Sequence, residues 1–134
     1  MFGFELIKHK RALKQDFYEC FSSLKDDLGN IPLEMKVNAY LNGAILSVCE
    51  SYLEGQNVFK QSSKAVILDA VFEELYRRDS IPVQTQIDEW IKQKNESFMK
   101  GYNNAPQHSD YNLNIKWLEG YIQQNFKRAT GLML

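Results

Sequence analysis

Apolar residues return at helical spacing along most of the chain and predict five helices. Four of them cover positions 4–28, 32–54, 64–78 and 82–102, and the fifth follows a cap at Ser109 or Asp110 and runs to about position 130. Within each segment apolar residues recur every three or four positions, which places them on one face of a helix. Gly131 and Leu132 predict a Schellman ending for the last helix. Because no segment alternates convincingly like a strand, the sequence predicts an all-α fold.

The second predicted helix is the most apolar of the five, because two of its faces carry apolar side chains. A helix of this kind is contacted by several neighbours. We therefore expect a single domain over positions 1–134, built as a bundle of five mostly antiparallel helices with the second helix in its centre. The one clear polar strip on that helix consists of Lys36, Gly43, Ser47, Glu50 and Glu54.

Two short segments, at positions 30–33 and 80–83, resemble each other. Each places a capping residue, Asn30 or Ser80, before an isoleucine and a proline at the predicted start of a helix. This echo is typical of two helical hairpins followed by a final helix, although two amphipathic helices that start alike would also align by periodicity alone. The apolar pairs at the same offset are Val37 with Ile87, Tyr40 with Trp90, Leu41 with Ile91, Val48 with Phe98 and Tyr52 with Tyr102.

Composition and charge point to an ordinary globular domain. Apolar residues make up 44% of the chain, charged residues 25%, and the net charge is −1, so no overall field favours nucleic acid or an anionic membrane. Two cysteines, Cys20 and Cys49, are too few for a disulfide framework, and reduced buried thiols are typical of a cytosolic protein. No segment approaches transmembrane length and the first 14 positions lack the apolar stretch of a signal peptide. We therefore expect a cytoplasmic location.

The sequence contains no motif that is typical of catalysis or of a metal site. The two histidines, His9 and His108, lack the carboxylate and imidazole partners of a bundle metal site, and the cysteines lack zinc spacing. Nucleophile elbows, phosphate loops and dinucleotide fingerprints do not occur. We expect no metal and no cofactor, and we favour a non-enzyme. A Cys49–His108 pair assembled across the fold is the catalytic alternative that spacing leaves open.

Polar residues on apolar faces define an alternative site. Asn38 and Asn42 lie one turn apart on the second predicted helix, on the flank that carries Cys49. Buried amides must be hydrogen-bonded, so they would face either a ligand or the protein's own backbone. Lys94 lies in the apolar stripe of the fourth helix, where it would act as a desolvated base or extend its ammonium to water. These four residues would line the interhelical pocket of a small-ligand-binding protein or enzyme.

The last predicted helix carries the strongest signal for an interaction. Leu113, Trp117 and Tyr121 form a second shoulder beside its core stripe, with Arg128 near the end. Trp, Tyr and Arg dominate binding hot spots because they combine large contact area with a polar group. Packing of this shoulder on the first or third helix inside the monomer is the competing interpretation.

A basic cluster near the start of the chain suggests a third alternative, a nucleic-acid-binding regulator. Its cations would contact phosphates or lipid headgroups, but acidic residues follow on the same predicted helix. Within a Debye length of about 10 Å we expect those carboxylates to cancel most of the field, which disfavours both nucleic acid and membrane. The cations are Lys8, Lys10, Arg11 and Lys14, and the carboxylates belong to Asp16, Glu19, Asp26 and Asp27.

The sequence therefore favours a small, non-catalytic, cytosolic interaction module. An adaptor, an inhibitor, an immunity factor or a dedicated chaperone would fit this description. Its partner would be another protein or a second copy of the chain in a homodimer. The predicted partner-binding residues are Leu113, Trp117, Tyr121 and Arg128.

Overall fold

A computed structural model describes residues 2–129 of the chain. Three 3₁₀ turns, Ser22–Leu24, Leu33–Val37 and Arg77–Asp79, supplement the α-helices. No strand occurs among the described residues, and the predicted all-α fold is confirmed. The α-helices are α1 (Phe2–Phe21), α2 (Ala39–Gly55), α3 (Gln61–Tyr76), α4 (Ser80–Lys92), α5 (Glu96–Asn104) and α6 (Tyr111–Asn125).

The predicted fourth helix is divided into α4 and α5. Lys94 adopts a left-handed backbone conformation, with a φ of 51°, which a continuous α-helix does not allow. The side chain of Asn95 then accepts a hydrogen bond from the backbone N–H of Phe98 and caps α5. The break changes the direction of the chain, so that Phe98 is buried while Lys94 is exposed. The expectation that Lys94 belongs to a helical apolar stripe is therefore wrong.

Helices α2 and α5 cross at two glycines. A Cβ atom on Gly43 would overlap the carbonyl oxygen of Phe98, and one on Gly101 would overlap the carbonyl oxygen of Tyr40. Only glycine allows backbones to approach this closely. Gly43 and Ser47, which the sequence places on a polar strip, are therefore buried. At Gly43 the backbone of α5 covers the strip, and the side chain of Ser47 accepts a hydrogen bond from Gln107, which follows α5.

The rest of α2 is covered by other helices. It contacts α3, α4 and α6 as well as α5, whereas α1 packs mainly on α3 and α6. Leu13 and Phe17 of α1 and Ile67 of α3 contribute fully buried side chains to the same core. The core residues of α2 itself are Leu41, Ala44, Ile45, Val48, Cys49 and Leu53, all of them fully buried.

The echo between the two proline segments does not extend to the fold. Neither Asn30 nor Ser80 caps a helix: Asn38 caps α2 through its side chain, and α4 already includes Ser80. Burial differs within the pairs as well, since Val37 is 76% exposed while its counterpart Ile87 is buried. These differences favour periodicity over duplication as the source of the echo. The predicted helix ending at Gly131 and Leu132 lies outside the described residues.

Candidate functional site

Three of the predicted partner-binding residues form one row on α6. Asp110 begins this helix by accepting a hydrogen bond from the backbone N–H of Asn112, and Leu118 and Ile122 anchor its inner side in the core. Leu113, Trp117 and Tyr121 follow one another at intervals of four residues and turn away from that inner side. Leu113 is 48% exposed, and the two aromatic residues are half-buried.

Tyr40 of α2 extends this row into a surface that we call the aromatic face (Tyr40, Leu113, Trp117 and Tyr121). The ring of Tyr121 stacks between Tyr40, at a centroid distance of 5.2 Å, and Trp117, at 5.7 Å. The buried ring of Phe126 contacts Tyr121 edge-on at 6.3 Å. Burial, and then the neighbouring Tyr40, raise the pKa of Tyr121 above its usual value. Two helices therefore hold the rings in a fixed stack.

The polar atoms of the two half-buried rings are free. Within the described residues, neither the indole N–H of Trp117 nor the hydroxyl of Tyr121 has a hydrogen-bond partner, and neither atom is buried. The hydroxyl of Tyr40, by contrast, accepts a hydrogen bond from the amide of Asn104 at 3.1 Å. The aromatic face therefore presents apolar ring surface together with two polar atoms that remain available for a partner.

Arg128 bonds residues of the loop that follows α1. Its Nε donates to the backbone oxygen of Lys25 at 2.8 Å, and its Nη2 lies 3.1 Å from the carboxylate of Asp27. The backbone N–H of Ala129 also donates to the carbonyl oxygen of Leu24. These contacts fasten the segment after α6 to the 3₁₀ turn and the loop that follow α1. The structure thus gives Arg128 an intramolecular role, in which it bonds Lys25 and Asp27.

The alternative ligand site is not assembled. Asn38 caps α2, and the side chain of Asn42 donates to the backbone oxygens of Met35 and Asn38 at 3.0 and 2.8 Å. Its carbonyl oxygen accepts from the hydroxyl of Tyr76 at 2.5 Å. Asn42 is fully buried and its amide is used inside the protein. The interpretation that these amides satisfy the protein itself therefore agrees with the structure.

The other two residues of that alternative site are also unsuited to it. Burial raises the pKa of the Cys49 thiol far above its usual value, so the sulfur stays protonated and poorly nucleophilic. Lys94 is exposed in the turn between α4 and α5. Three clefts of about 780, 690 and 410 Å³ lie on the described surface, and none is lined by Asn38, Asn42, Cys49 or Lys94.

A buried polar cluster between α1, α2 and α6 was missed by the sequence interpretation. His9, which the sequence places at the polar side of its helix, is only 4% exposed, and its Nδ1 is hydrogen-bonded to the hydroxyl of Tyr52 at 2.9 Å. The ring of Tyr52 contacts Tyr111 edge-on at 5.0 Å. Burial raises the pKa of Tyr111, and nearby Cys49 and Asp16 raise it further. The Tyr111 hydroxyl is buried without a hydrogen-bond partner among the described residues.

Replacement of Tyr111 by phenylalanine is expected to stabilise the protein by about 1 kcal/mol, because it removes a buried hydroxyl that lacks a partner. Urea unfolding followed by circular dichroism would measure this change. Tyr52→Phe is the matched control, since it removes the hydroxyl that bonds His9 and should lower the free energy of unfolding by about 1 kcal/mol. A loss of stability in Tyr111→Phe would contradict the prediction by showing that this hydroxyl has a partner.

Within the part of the chain that the structure describes, no group of three or more His, Cys, Asp or Glu residues could hold a metal ion. None of the described helices combines the length and the apolar character that a membrane crossing requires. Comparisons with models of protein families, with curated proteins and with solved structures found no match.

Proposed function

We propose that the protein is a non-catalytic interaction module that binds a protein partner through the aromatic face. The observation that carries this proposal is the stack of Tyr40, Tyr121 and Trp117, in which half-buried rings keep free polar atoms at the surface. Rigid aromatic side chains supply large contact area and lose little conformational entropy on binding. Their polar atoms add directional hydrogen bonds.

The shape of the aromatic face favours a protein over a small molecule. None of its four residues lines the three clefts of about 780, 690 and 410 Å³, and clefts are the sites that enclose small ligands. Leu113 lies one turn before Trp117 on α6 and adds exposed apolar surface to the face. Stacking against Tyr40 and Phe126 fixes Tyr121 before a partner arrives. This preorganisation reduces the ordering cost of binding.

We place this module in the cytosol. The two cysteines, Cys20 and Cys49, are both free and both buried, as expected for a protein that folds in a reducing compartment. An adaptor, an inhibitor, an immunity factor or a dedicated chaperone would each use a surface such as the aromatic face. A second copy of the chain is the competing partner, and concentration dependence separates the two.

Trp117→Ala is expected to weaken partner binding by about 2 kcal/mol, roughly 30-fold, because hot-spot tryptophans carry energies of this size. A photo-crosslinking residue at Leu113 would capture the partner in native cells, and one at Thr85 of α4 would serve as the background control. Calorimetry with the captured partner would then compare wild type and Trp117→Ala.

The same variant should change folding only moderately, lowering the free energy of unfolding by about 1–2 kcal/mol because Trp117 is half-buried. Trp90→Ala is the matched core variant, and its buried indole should cost about 3–5 kcal/mol. Unchanged affinity in folded Trp117→Ala would overturn the proposal. In a Trp90→Phe background, a blue shift of Trp117 emission that depends only on concentration would assign the aromatic face to self-association.

A further inference from the structure

The outward face of α1 combines apolar and cationic side chains. Phe4, Ile7 and Tyr18 are 69%, 50% and 49% exposed. At about 100° per residue, these three and the intervening Arg11 and Lys14 fall within an arc of about 80° on the helix. We call these five residues the α1 face. It lies opposite the buried side of the helix and covers about 21 Å of its length.

The cations at this face are not neutralised. Among the described residues, none of four cations makes an ion pair or a side-chain hydrogen bond. Two of these cations, Lys8 and Lys10, lie beside the α1 face on the same helix and add to its positive charge. The four cations are Lys8, Lys10, Arg11 and Lys14.

Three of the four acidic residues that were expected to offset this charge have partners other than the cations of α1. Glu19 accepts from Gln15, and the carboxylate of Asp26 accepts from the backbone N–H groups of Leu28 and Asn30. Asp27 pairs with Arg128. None of these three carboxylates therefore forms an ion pair with a described cation of α1.

A groove of about 410 Å³ runs beside the α1 face. One carboxylate lines the groove, that of Glu74 on α3, and it lies 3.5 Å from the ammonium of Lys25. The same ammonium lies 4.1 Å from the centre of the Tyr18 ring. Lys25 therefore pairs with the one acidic residue that lines the groove, while the cations in its lining form no ion pair with a described residue. The groove is lined by Ile7, Lys10, Arg11, Lys14, Gln15, Tyr18 and Glu74.

We propose that the α1 face docks an acidic amphipathic segment of a partner protein. Apolar side chains of that segment would cover Phe4, Ile7 and Tyr18, and its carboxylates would meet Arg11 and Lys14. Exposed apolar side chains with interleaved cations fit such a segment because both components gain a partner at once. This inference is independent of the aromatic face, which is formed by α2 and α6.

Nucleic acid and membrane fit the α1 face less well. A nucleic-acid backbone would neutralise the cations but leave Phe4 and Ile7 in water. A helix that lies on a membrane buries an uninterrupted apolar face, whereas Arg11 lies between the apolar residues here and the adjoining surface is a groove. Charge complementarity together with the groove favours a chain segment.

The test uses a fluorescent helical peptide that carries leucine and glutamate on one face, with a glutamine-for-glutamate peptide as its control. Fluorescence anisotropy at physiological salt would measure binding to the whole chain. We expect Arg11→Glu with Lys14→Glu to weaken acidic-peptide binding at least roughly tenfold, and Ile7→Ser at least roughly fivefold, an apolar-contact loss of about 1 kcal/mol.

The matched control is Lys94→Glu with Lys100→Glu, which makes the same change of charge on exposed positions of α5 and the preceding turn. It should alter peptide affinity less than about twofold if the α1 face is the site. Trp117→Ala should leave peptide binding unchanged, so failure of the two proposals can be told apart. Equal losses in both double variants, equal binding of the glutamine peptide, or tighter binding to a DNA duplex or to phosphatidylserine vesicles would overturn the inference.

Discussion

Gly101→Ala is expected to lower the free energy of unfolding by about 3 kcal/mol or more. The added methyl group would overlap the carbonyl group of Tyr40, with its Cβ 2.7 Å from the Tyr40 carbonyl carbon. Backbone atoms cannot rotate out of the way, so α2 and α5 would have to separate. Gly43→Ala should have a similar effect, since its Cβ would lie 2.9 Å from the Tyr102 backbone nitrogen and overlap the Phe98 carbonyl.

Gly120 of α6 offers a matched control for both variants. Apart from the adjacent backbone of α6, no atom lies within 4 Å of the position where its Cβ would be built. Alanine has a higher helix propensity than glycine, so Gly120→Ala should stabilise the protein by about 0.5–1 kcal/mol. Urea unfolding followed by circular dichroism would measure all three variants. A Gly101→Ala protein as stable as wild type would show that the two helices do not cross this closely.

The glycine crossing also explains one limit of the sequence interpretation. Gly43, Ser47 and Glu50 fall on one strip of α2, and their low hydropathy predicts contact with water. In the fold, Ser47 accepts a hydrogen bond from Gln107, and Glu50 accepts one from the hydroxyl of Tyr102. Glycine carries no side chain whose hydropathy could indicate burial, so a close backbone approach leaves no trace in the periodic pattern.

Other features followed directly from local chemistry. Periodicity indicated where most of the helices lie, although the first helix ends at Phe21 rather than at position 28. Asp110 caps α6 as expected. The break between α4 and α5 was missed because lysine is uncommon at a left-handed position. Asn95, a favoured capping residue followed by Glu96, was the available signal for it.

The candidate surfaces were only partly accessible to sequence reasoning. Trp117 and Tyr121 could be identified from their position beside the core stripe of α6. Tyr40, their stacking partner, could not, because its approach depends on how α2 and α6 pack. The charge of the α1 face was judged from neighbours in sequence, whereas the ion pair between Asp27 and Arg128 joins residues 101 positions apart that only the fold brings together.

Asn42→Leu is expected to lower the free energy of unfolding by about 3 kcal/mol. The substitution has a similar size but removes the donor to the backbone oxygens of Met35 and Asn38, and it leaves the hydroxyl of Tyr76 without an acceptor. Unpaired buried groups cost about 1–3 kcal/mol each. Burial raises the pKa of Tyr76, so its hydroxyl stays protonated and needs an acceptor throughout the neutral range.

A double-mutant cycle with Tyr76→Phe tests this interpretation of Asn42. Tyr76→Phe alone should cost about 1–2 kcal/mol because it leaves the Asn42 carbonyl oxygen unpaired. The double variant should be more stable than the sum of the two losses predicts, since both partners of that hydrogen bond are then apolar. Strictly additive losses would contradict direct coupling of the two side chains. Wild-type stability in Asn42→Leu would instead return Asn42 to the ligand-binding alternative, because an amide reserved for a ligand contributes nothing to folding.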